Sequence, residues 1–250
     1  MALDNVFVAR MTTDELDAAI KNRPVVILLP VGAIEPHGPH LPLETDLVIS
    51  RAACERAAHA LAARDVLALV APDVAYGVTE FANGFTGAVS VSRGSLVAYL
   101  RAVVDGWLGN GAAHVCVVNN HLEPAHDTAV RESMAGLTMR QASVASPLTR
   151  RWARTLSDEF KRGACHAGEY ETSIVQAADA ASVREDIRRR LPEVDVSLSD
   201  AIARGVEDFR SMGLSKSYAG APARATAAHG EEMLDRLAEM IVGEVTEAMA

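Results

Sequence analysis

Runs of consecutive apolar residues alternate along the chain with stretches in which apolar residues recur at helical spacing. Residues 25–29, 66–71 and 114–118 form largely aliphatic runs without a polar alternation. A strand that is covered on both faces of a parallel sheet has this pattern. Between the runs, residues 47–64 and 92–108 place apolar side chains three and four positions apart, as a helix does. This order predicts an α/β fold with a mostly parallel central sheet.

The remaining segments add further elements to this order. Thr12 and Glu15 form a capping box at the start of a short helix. A helix is predicted from about residue 124 to 135, and one more strand over 142–145. No linker, charge block or repeat divides the chain, so residues 1–250 are predicted to form a single domain. The other predicted helices cover residues 148–160, 168–179, 199–211 and 226–248.

Composition and charge narrow the classes of protein to consider. Hydrophobic residues make up 49% of the 250 residues and charged residues 23%, which is typical of a globular protein. The formal charge of −9 at pH 7 would repel a phosphate backbone, so nucleic acid is not an expected partner. No apolar run reaches the roughly 18 residues of a membrane span, and residues 1–5 lack the pattern of a secretion signal. We therefore expect a cytoplasmic protein without a membrane partner.

Acidic and imidazole side chains follow two of the predicted strands. Glu35 and His37 come after the first strand, His121 and Glu123 come after the third, and Asp46 ends a loop. Open α/β sheets place their sites at the carboxyl ends of strands, and residues two apart in an extended segment project to the same side. The three cysteines are far apart and show no C-x-x-C spacing, which argues against a thiolate site. A mixed oxygen and nitrogen donor set suits Zn²⁺, Mn²⁺ or Fe²⁺.

Each of these residues also has a plainer interpretation. Asp46 is a natural N-cap for the helix over 47–64, since Asp is favoured at that position. The first acid and imidazole pair could be solvated loop residues, and His121 could be a hydrogen-bonded histidine at a strand end. The same pair of residue types at two strand ends favours a metal site over these readings, and residues 166–173 add further imidazole and carboxylate groups.

Several familiar catalytic motifs are missing from the sequence, which contains no G-x-x-x-x-G-K-[ST], H-E-x-x-H or G-x-S-x-G pattern. Phosphate-loop, zinc-protease and serine-hydrolase chemistry of those kinds is therefore not expected. Residues 72–88 hold three glycines and two phenylalanines. A loop of this length suggests a functional or interface role.

Four segments carry distinctive motifs, in order along the chain. Residues 30–42 read P-V-G-A-I-E-P-H-G-P-H-L-P and are followed closely by T-D, which is similar to the signature loop of the creatininase (creatinine amidohydrolase) family. Residues 119–123, N-N-H-L-E, look like its N-G-H-x-E segment. Residues 166–173, H-A-G-E-Y-E-T-S, look like its H-A-G-E-x-E-T-S segment, and residues 220–226, G-A-P-A-R-A-T, resemble its G-x-P-x-x-A-T turn.

The resemblance implies a three-layer α/β/α sandwich that holds two divalent metal ions per subunit and hydrolyses a carbon–nitrogen bond of an amide. Zinc or manganese is the expected metal, with iron as a third candidate. Members of the family commonly form hexamers, so a homo-oligomer is expected. Asp46 would bridge the two ions. The implied ligands are Glu35, Asp46 and His121 for one ion, and His37, Asp46 and Glu123 for the other.

Amide hydrolysis needs a nucleophilic water and a proton donor for the leaving nitrogen. Two ions about 3.5–4 Å apart can activate the water and polarise the amide oxygen. We predict His166 as the general acid, with Glu171 orienting it, and we count Glu123 among the catalytic residues. The plainer reading of Glu171 is a first-turn acid that interacts with the helix dipole.

These observations predict a metal-dependent amidohydrolase that acts on a small amide, cyclic amide or formamide. Two alternatives stay open: a non-hydrolytic assembly protein stabilised by its metals, and a metal-dependent lactone or phosphoester hydrolase. Residues 160–163 read F-K-R-G where creatininases carry a tryptophan, so a substrate other than creatinine is expected. Lys161 and Arg162 form either a solvated helix end or a site for an anionic substrate, and no role is predicted for His40 or His126.

Overall fold

The computed structural model describes residues 5–250, so the prediction about a secretion signal rests mostly on residues outside the described part. One parallel sheet has the strand order β2–β1–β3–β4. Its strands are Val25–Val31 (β1), Leu67–Val70 (β2), His114–Asn119 (β3) and Ala142–Ala145 (β4). The helices are Thr13–Asn22 (α1), Thr45–Ala62 (α2), Arg93–Gly109 (α3), Pro124–Ser133 (α4), Arg150–Ala153 (α5), Asp158–Lys161 (α6), Glu169–Ala178 (α7), Glu185–Arg188 (α8), Leu198–Ala203 (α9) and Ala227–Met249 (α10).

Helices cover both faces of the sheet. Val26 and Leu28 of β1 pack into a core with helices α2, α7 and α10. Val25, Ile27 and Leu29 point to the opposite face, into a core with α1, α3 and α4. Because each strand is buried on both faces, its sequence is a continuous apolar run, and burial of each such side chain contributes about 1.5–3 kcal/mol. The predicted three-layer α/β/α sandwich is confirmed.

Two predicted helices are shorter or interrupted in the structure. The segment 148–160 forms α5 and α6 with a break between them, because Ser157 accepts a hydrogen bond from the backbone N–H of Phe160 and starts a new helix. The predicted helix over 199–211 ends with α9, and Gly205 follows in the left-handed region at φ +80°. A residue at positive φ cannot continue a right-handed helix.

The helix caps agree with the sequence at two positions and differ at a third. Thr12 and Glu15 form the predicted capping box, and Ser92 caps α3. The N-cap of α2 is Glu44 rather than Asp46, because the helix starts at Thr45. The interpretation of Asp46 as an N-cap is therefore wrong, and its side chain is free for other contacts. Across residues 5–250, no helix has the length and apolar character needed to cross a bilayer.

Candidate metal centre

The acidic and imidazole residues meet at the carboxyl ends of two adjacent strands. Val31 ends β1 beside Asn119, which ends β3. The loop after β1 carries Glu35 and His37, and the segment after β3 carries His121. All three side chains are buried. The parallel register therefore brings together residues that are more than eighty positions apart in the sequence.

Asp46 lies at the middle of the cluster, with one carboxylate oxygen on each side. Its Oδ1 is 3.2 Å from His37 Nε2, and its Oδ2 is 3.0 Å from His121 Nδ1. The backbone N–H of Ala33 donates to Oδ2 at 3.2 Å. A Cβ at Gly32 would lie 2.7 Å from the Asp46 Cβ, so only glycine lets β1 pass this close to α2. The placement of Asp46 suits a carboxylate that bridges two cations.

Three histidines use one ring nitrogen to bond a backbone carbonyl and turn the other toward the carboxylates. A carbonyl can only accept, so the bonded nitrogen carries a proton, and in the neutral ring the opposite nitrogen keeps a lone pair that can take a second proton or a metal ion. Metal-ligating histidines are oriented in the same way. The bonded pairs are His37 Nδ1 with Glu35 O at 3.1 Å, His121 Nε2 with Val78 O at 2.8 Å, and His166 Nε2 with Pro36 O at 3.0 Å.

The nitrogen and oxygen atoms that face each other fall into overlapping groups able to hold a cation. Within each group, one ligand atom per residue lies within 4.8 Å of the others, and every member is buried. Among residues 5–250, His37 Nε2 has no hydrogen-bond partner although it is buried, which is the condition of a nitrogen that can bind a cation. The groups are Glu35, Asp46 and His121; His37, Asp46 and Glu171; and Glu35, His37 and His166.

The electrostatics of the cluster favour positive charge. Burial by itself would raise the pKa of Glu35, yet the neighbouring His121 lowers that pKa to about 2. Burial would likewise lower the pKa of His37, but Asp46 together with other carboxylates raises it to about 10. The pKa of His121 is also raised well above its usual range, against the effect of burial, by Glu35 and Asp46. The carboxylates therefore stabilise a cation at these two nitrogens, whether it is a proton or a metal ion.

Glu171 and Glu123 have different surroundings. Glu171 Oε2 lies 3.5 Å from His37 Nε2 and accepts a hydrogen bond from the backbone N–H of Ala167 at 2.7 Å. Burial raises the pKa of Glu171 to about 8. Glu123 instead directs both oxygens at backbone N–H groups, those of Glu80 and Phe81, at 3.0 and 3.1 Å. The structure thus brings Glu171 into a group with His37 and Asp46, and it leaves Glu123 outside the three groups within the described chain.

His166 lies at the edge of the cluster. Its Nδ1 is 3.8 Å from Glu35 Oε1, and its ring stacks on Phe209 with centroids 4.4 Å apart. The hydroxyl of Ser217 donates to Pro36 O at 2.9 Å, the same carbonyl that His166 Nε2 reaches. Burial lowers the pKa of His166 to about 4. The ring is therefore neutral near pH 7, with its lone pair on Nδ1 facing the cluster.

The loop over 72–88 supplies contacts that no motif in the sequence indicates. The Thr79 hydroxyl donates to Glu35 Oε2 in a short hydrogen bond. Val78 donates its N–H to His126 Nδ1 at 3.2 Å, and the His126 ring packs edge-on against His121 at 4.7 Å. The only signal in the sequence was the length of the loop. Thr79 and His126 thus contact Glu35 and His121 from outside the cluster.

His40, Lys161 and Arg162, which the sequence left without a definite role, also receive positions. His40 bonds Thr172 Oγ1 at 2.9 Å and so ties the loop after β1 to α7. Lys161 lines the cavity described below and pairs with Asp158 at 3.2 Å. Arg162 caps the end of α6 through its backbone.

A cavity of about 350 Å³ opens onto the cluster. Glu35, Asp46, His121 and His166 line its floor. Its walls are largely apolar, so the cavity pairs a charged floor with a lining that excludes water from part of a bound molecule. The apolar wall residues include Phe81, Leu122, Leu148, Phe160, Ile202 and Phe209.

Comparison with known proteins settles the family. A family model described as creatininase, creatinine amidohydrolase, matches residues 9–245. The chain belongs to the creatininase family. It is a creatininase-family hydrolase of amide bonds, and the predicted family is confirmed.

Three relatives illustrate the range of this family. The mycofactocin precursor peptide peptidase of Mycolicibacterium smegmatis is 30% identical over 227 residues, which cover 87% of this chain and 82% of the relative. Creatinine amidohydrolase of Pseudomonas putida is 30% identical over 124 residues, so that match spans only 48% of this chain and 46% of the relative. A solved structure described as "Creatininase Mn" is 22% identical, with a TM-score of 0.74 and 98% coverage of both chains. The structural likeness supports the shared fold.

Proposed function

We propose that this protein hydrolyses a carbon–nitrogen bond of an amide with two divalent metal ions bound at the ends of β1 and β3, and that residues 1–250 act as one catalytic domain. The observation that carries the proposal is the position of Asp46, whose two oxygens face His37 Nε2 at 3.2 Å and His121 Nδ1 at 3.0 Å. One ion would be held by Glu35, Asp46 and His121. The second would be held by His37 and Asp46 with a further carboxylate.

The further carboxylate is Glu171 or Glu123. The distance of 3.5 Å between Glu171 Oε2 and His37 Nε2 supports Glu171. The spacing of the motif over 119–123 supports Glu123, so Glu123 and Glu171 are both kept as candidates. Nitrogen and oxygen donors suit zinc or manganese, and iron after them. The relative described as "Creatininase Mn" supports manganese.

The bound ions would supply an activated water and a polarised amide oxygen. The chain itself supplies the proton transfers. His166 Nε2 is held by Pro36 O, so the Nδ1 lone pair faces the cluster and is placed to take a proton from the attacking water. The imidazolium formed in this way then returns that proton to the leaving nitrogen. His166 thus acts first as a base and then as the predicted general acid, while the bond from Ala167 N–H to Glu171 holds the adjoining backbone.

The substrate class follows from the cavity and the relatives together. A planar ring the size of creatinine would leave much of a 350 Å³ cavity empty, and the aromatic and aliphatic walls favour an amide with an apolar group. The relative that matches 87% of this chain is named for a peptide substrate. We therefore propose a small or peptide-like amide that carries an apolar side chain.

The test is a survey of purified protein loaded with Mn²⁺ or Zn²⁺ on small amides, cyclic amides, formamides and short peptides with apolar residues. Amine or formate release should require metal and should be abolished in His166→Ala, with the oligomer intact. Activity only on lactones or phosphoesters would overturn the proposal. Two bound ions without turnover of any amide would instead favour a metal-stabilised assembly protein.

The family and the surface support a homo-oligomer. Leu43 and Val89 are large exposed apolar side chains on neighbouring segments, because Gly87 lies against Leu43 and Val89 N–H bonds Ile34 O in the loop that ends at Asp46. Adjacent exposed apolar side chains of this kind are typical of subunit interfaces. Light scattering of the purified chain should give a mass several times 26.5 kDa, with six subunits as the number expected from the family.

A further inference from the structure

Glu159 is a buried carboxylate that lies outside the proposed metal ligands. It belongs to the short helix α6 and is only 4% exposed. Its Oε1 accepts a hydrogen bond from the backbone N–H of Tyr170 at 2.8 Å, and its Oε2 accepts one from Ala221 N–H at 2.7 Å. A single side chain therefore joins α6, the first turn of α7 and the turn before residues 222–224.

Two glycines in the signature segments make room for this carboxylate. A Cβ added at Gly168, in the H-A-G-E segment, would overlap Glu159 Oε1. A Cβ added at Gly220, in the G-A-P segment, would overlap Glu159 Oε2, and Gly220 also has φ +83°. Two motifs that the metal cluster leaves partly unexplained thus converge on one acidic side chain.

The segment enclosed by these bonds carries catalytic groups. It runs from α6 to α7 and includes His166 and Ala167. Ala167 has φ +51°, a left-handed conformation that is strained for a non-glycine residue and persists only when its surroundings hold it. The carbonyl of His166 accepts from Ala219 N–H at 2.8 Å, which fixes the same segment against the turn that Glu159 holds.

We propose that Glu159 is a positioning residue for the reaction: its two bonds to backbone N–H groups fix the strained segment that sets His166 and Glu171 against the metal cluster. The same bonds fix Phe160, the next residue, in the cavity wall. Each of the two carboxylate oxygens accepts from one of these N–H groups. The roles of His166 and Glu171 in this assignment rest on the proposed function. The contacts of Glu159 rest on the geometry alone.

The experiment compares wild-type protein with Glu159→Gln by hydrogen–deuterium exchange and steady-state kinetics. Glutamine keeps the shape but turns an amide N–H toward one of the two donors, so one bond is lost. Exchange should rise by about tenfold or more in peptides covering 160–172 and 217–223, and should stay unchanged in β1 and β3. A displacement of about 1 Å at a catalytic group costs about 100-fold in rate, so kcat should fall by about 10–100-fold with a smaller change in KM.

Asp158→Asn is the matched control, since it removes the charge of the adjacent residue, whose side chain is 87% exposed and pairs with Lys161. It should leave exchange and kcat unchanged. Glu159→Asp keeps the charge but is one methylene shorter, so it should lose one bond and shift both readouts in the same direction. If the glutamine variant fails to fold, the aspartate variant is compared with wild-type protein by the same two measurements.

Three outcomes would overturn the assignment: unchanged exchange near residues 160–172, a rise in exchange spread over the whole chain, or a local rise with unchanged kcat. A separate result concerns the proposed function. If wild-type protein shows no metal-dependent amide cleavage, the proposed function fails, and Glu159 is then judged by the exchange pattern, which needs no substrate.

Discussion

Two buried carboxylates in this molecule have different kinds of partner. Asp46 faces an imidazole nitrogen on each side, and although burial would raise its pKa, His121 and His37 hold that pKa well below its usual range. Glu159 faces backbone N–H groups, and burial raises its pKa. A backbone N–H is a fixed donor that belongs to the fold, whereas an imidazole lone pair can bind a metal ion. A buried carboxylate whose two oxygens both accept from backbone N–H groups therefore stabilises the fold. A buried carboxylate that faces imidazole nitrogens can instead help to hold a cation.

The same comparison applies to Glu123 and Glu171, the two candidates for the remaining ligand of the second ion. Glu123 resembles Glu159, because both of its oxygens accept from backbone N–H groups. Glu171 resembles Asp46, since each has one backbone donor, from Ala167 and Ala33 respectively, and Glu171 Oε2 also faces His37 Nε2 at 3.5 Å.

Asp46→Asn should abolish binding of both ions, because the amide cannot present a charged oxygen to each side. Loss of metal catalysis, which supplies several kcal/mol, should lower kcat/KM by at least about 10³-fold. Elemental analysis and the amide assay measure the two effects. Asp235→Asn, on the surface of α10, should change neither; retention of two ions in the Asp46 variant would refute the bridging role.

Glu171→Gln and Glu123→Gln form a matched pair. Glu171→Gln should reduce the metal content from two ions to one per chain, with a loss of activity of about 10²-fold or more. Glu123→Gln should keep two ions, since its carboxylate is already satisfied by the backbone of the 72–88 loop. Metal titration followed by calorimetry distinguishes them. Loss of one ion in Glu123→Gln and retention of both in Glu171→Gln would make Glu123 the ligand, as its motif predicts. That result would show that bonds to backbone N–H groups do not exclude a carboxylate from binding metal.

Thr79→Val should have a smaller effect, because Thr79 touches a ligand and not an ion. Replacing the hydroxyl by a methyl group leaves Glu35 Oε2 without its donor. Partners of metal ligands are worth about 10–100-fold in metal affinity, so the dissociation constant should rise by about that factor. Thr246→Val, which removes a hydroxyl bonded to a helix carbonyl on α10, should leave metal affinity unchanged.

The pH dependence of the metal-free protein should be the mildest effect. His37 has its pKa raised from 6.5 to about 10, so its stabilising charge is fully present below pH 6.5 and is lost as pH rises through 10. Glu171 has its pKa raised from 4.5 to about 8, and its ionisation also removes stability as pH rises. Thermal unfolding midpoints should therefore fall between pH 6.5 and 10 without metal. Added Mn²⁺ should flatten this slope; an unchanged slope would argue against a cation at His37.

The sequence predicted the layers of the fold because strands buried on both faces are continuous apolar runs. Strand ends also predicted that Glu35, His37 and His121 lie at one edge of the sheet, whereas Asp46 was placed at the end of the first loop and its role as a shared ligand came from the resemblance. The sequence misjudged the segment 148–160, where the side chain of Ser157 starts a second helix within an otherwise helical pattern. Local patterns of this kind are decided by a single hydrogen bond.

The sequence did not predict the contacts between distant segments. The bonds of Thr79 to Glu35 and of Glu159 to Tyr170 and Ala221 depend on how loops pack, and no periodicity encodes that. The placement of Glu123 is of the same kind, since its partners are backbone groups some forty residues earlier in the chain.

Anomalous diffraction from a crystal of the Mn²⁺-loaded protein would show whether Asp46 bridges two ions. We expect two manganese peaks per chain, about 3.5–4 Å apart, with one on each side of the Asp46 carboxylate. A single peak, or two peaks that do not share Asp46, would contradict this expectation.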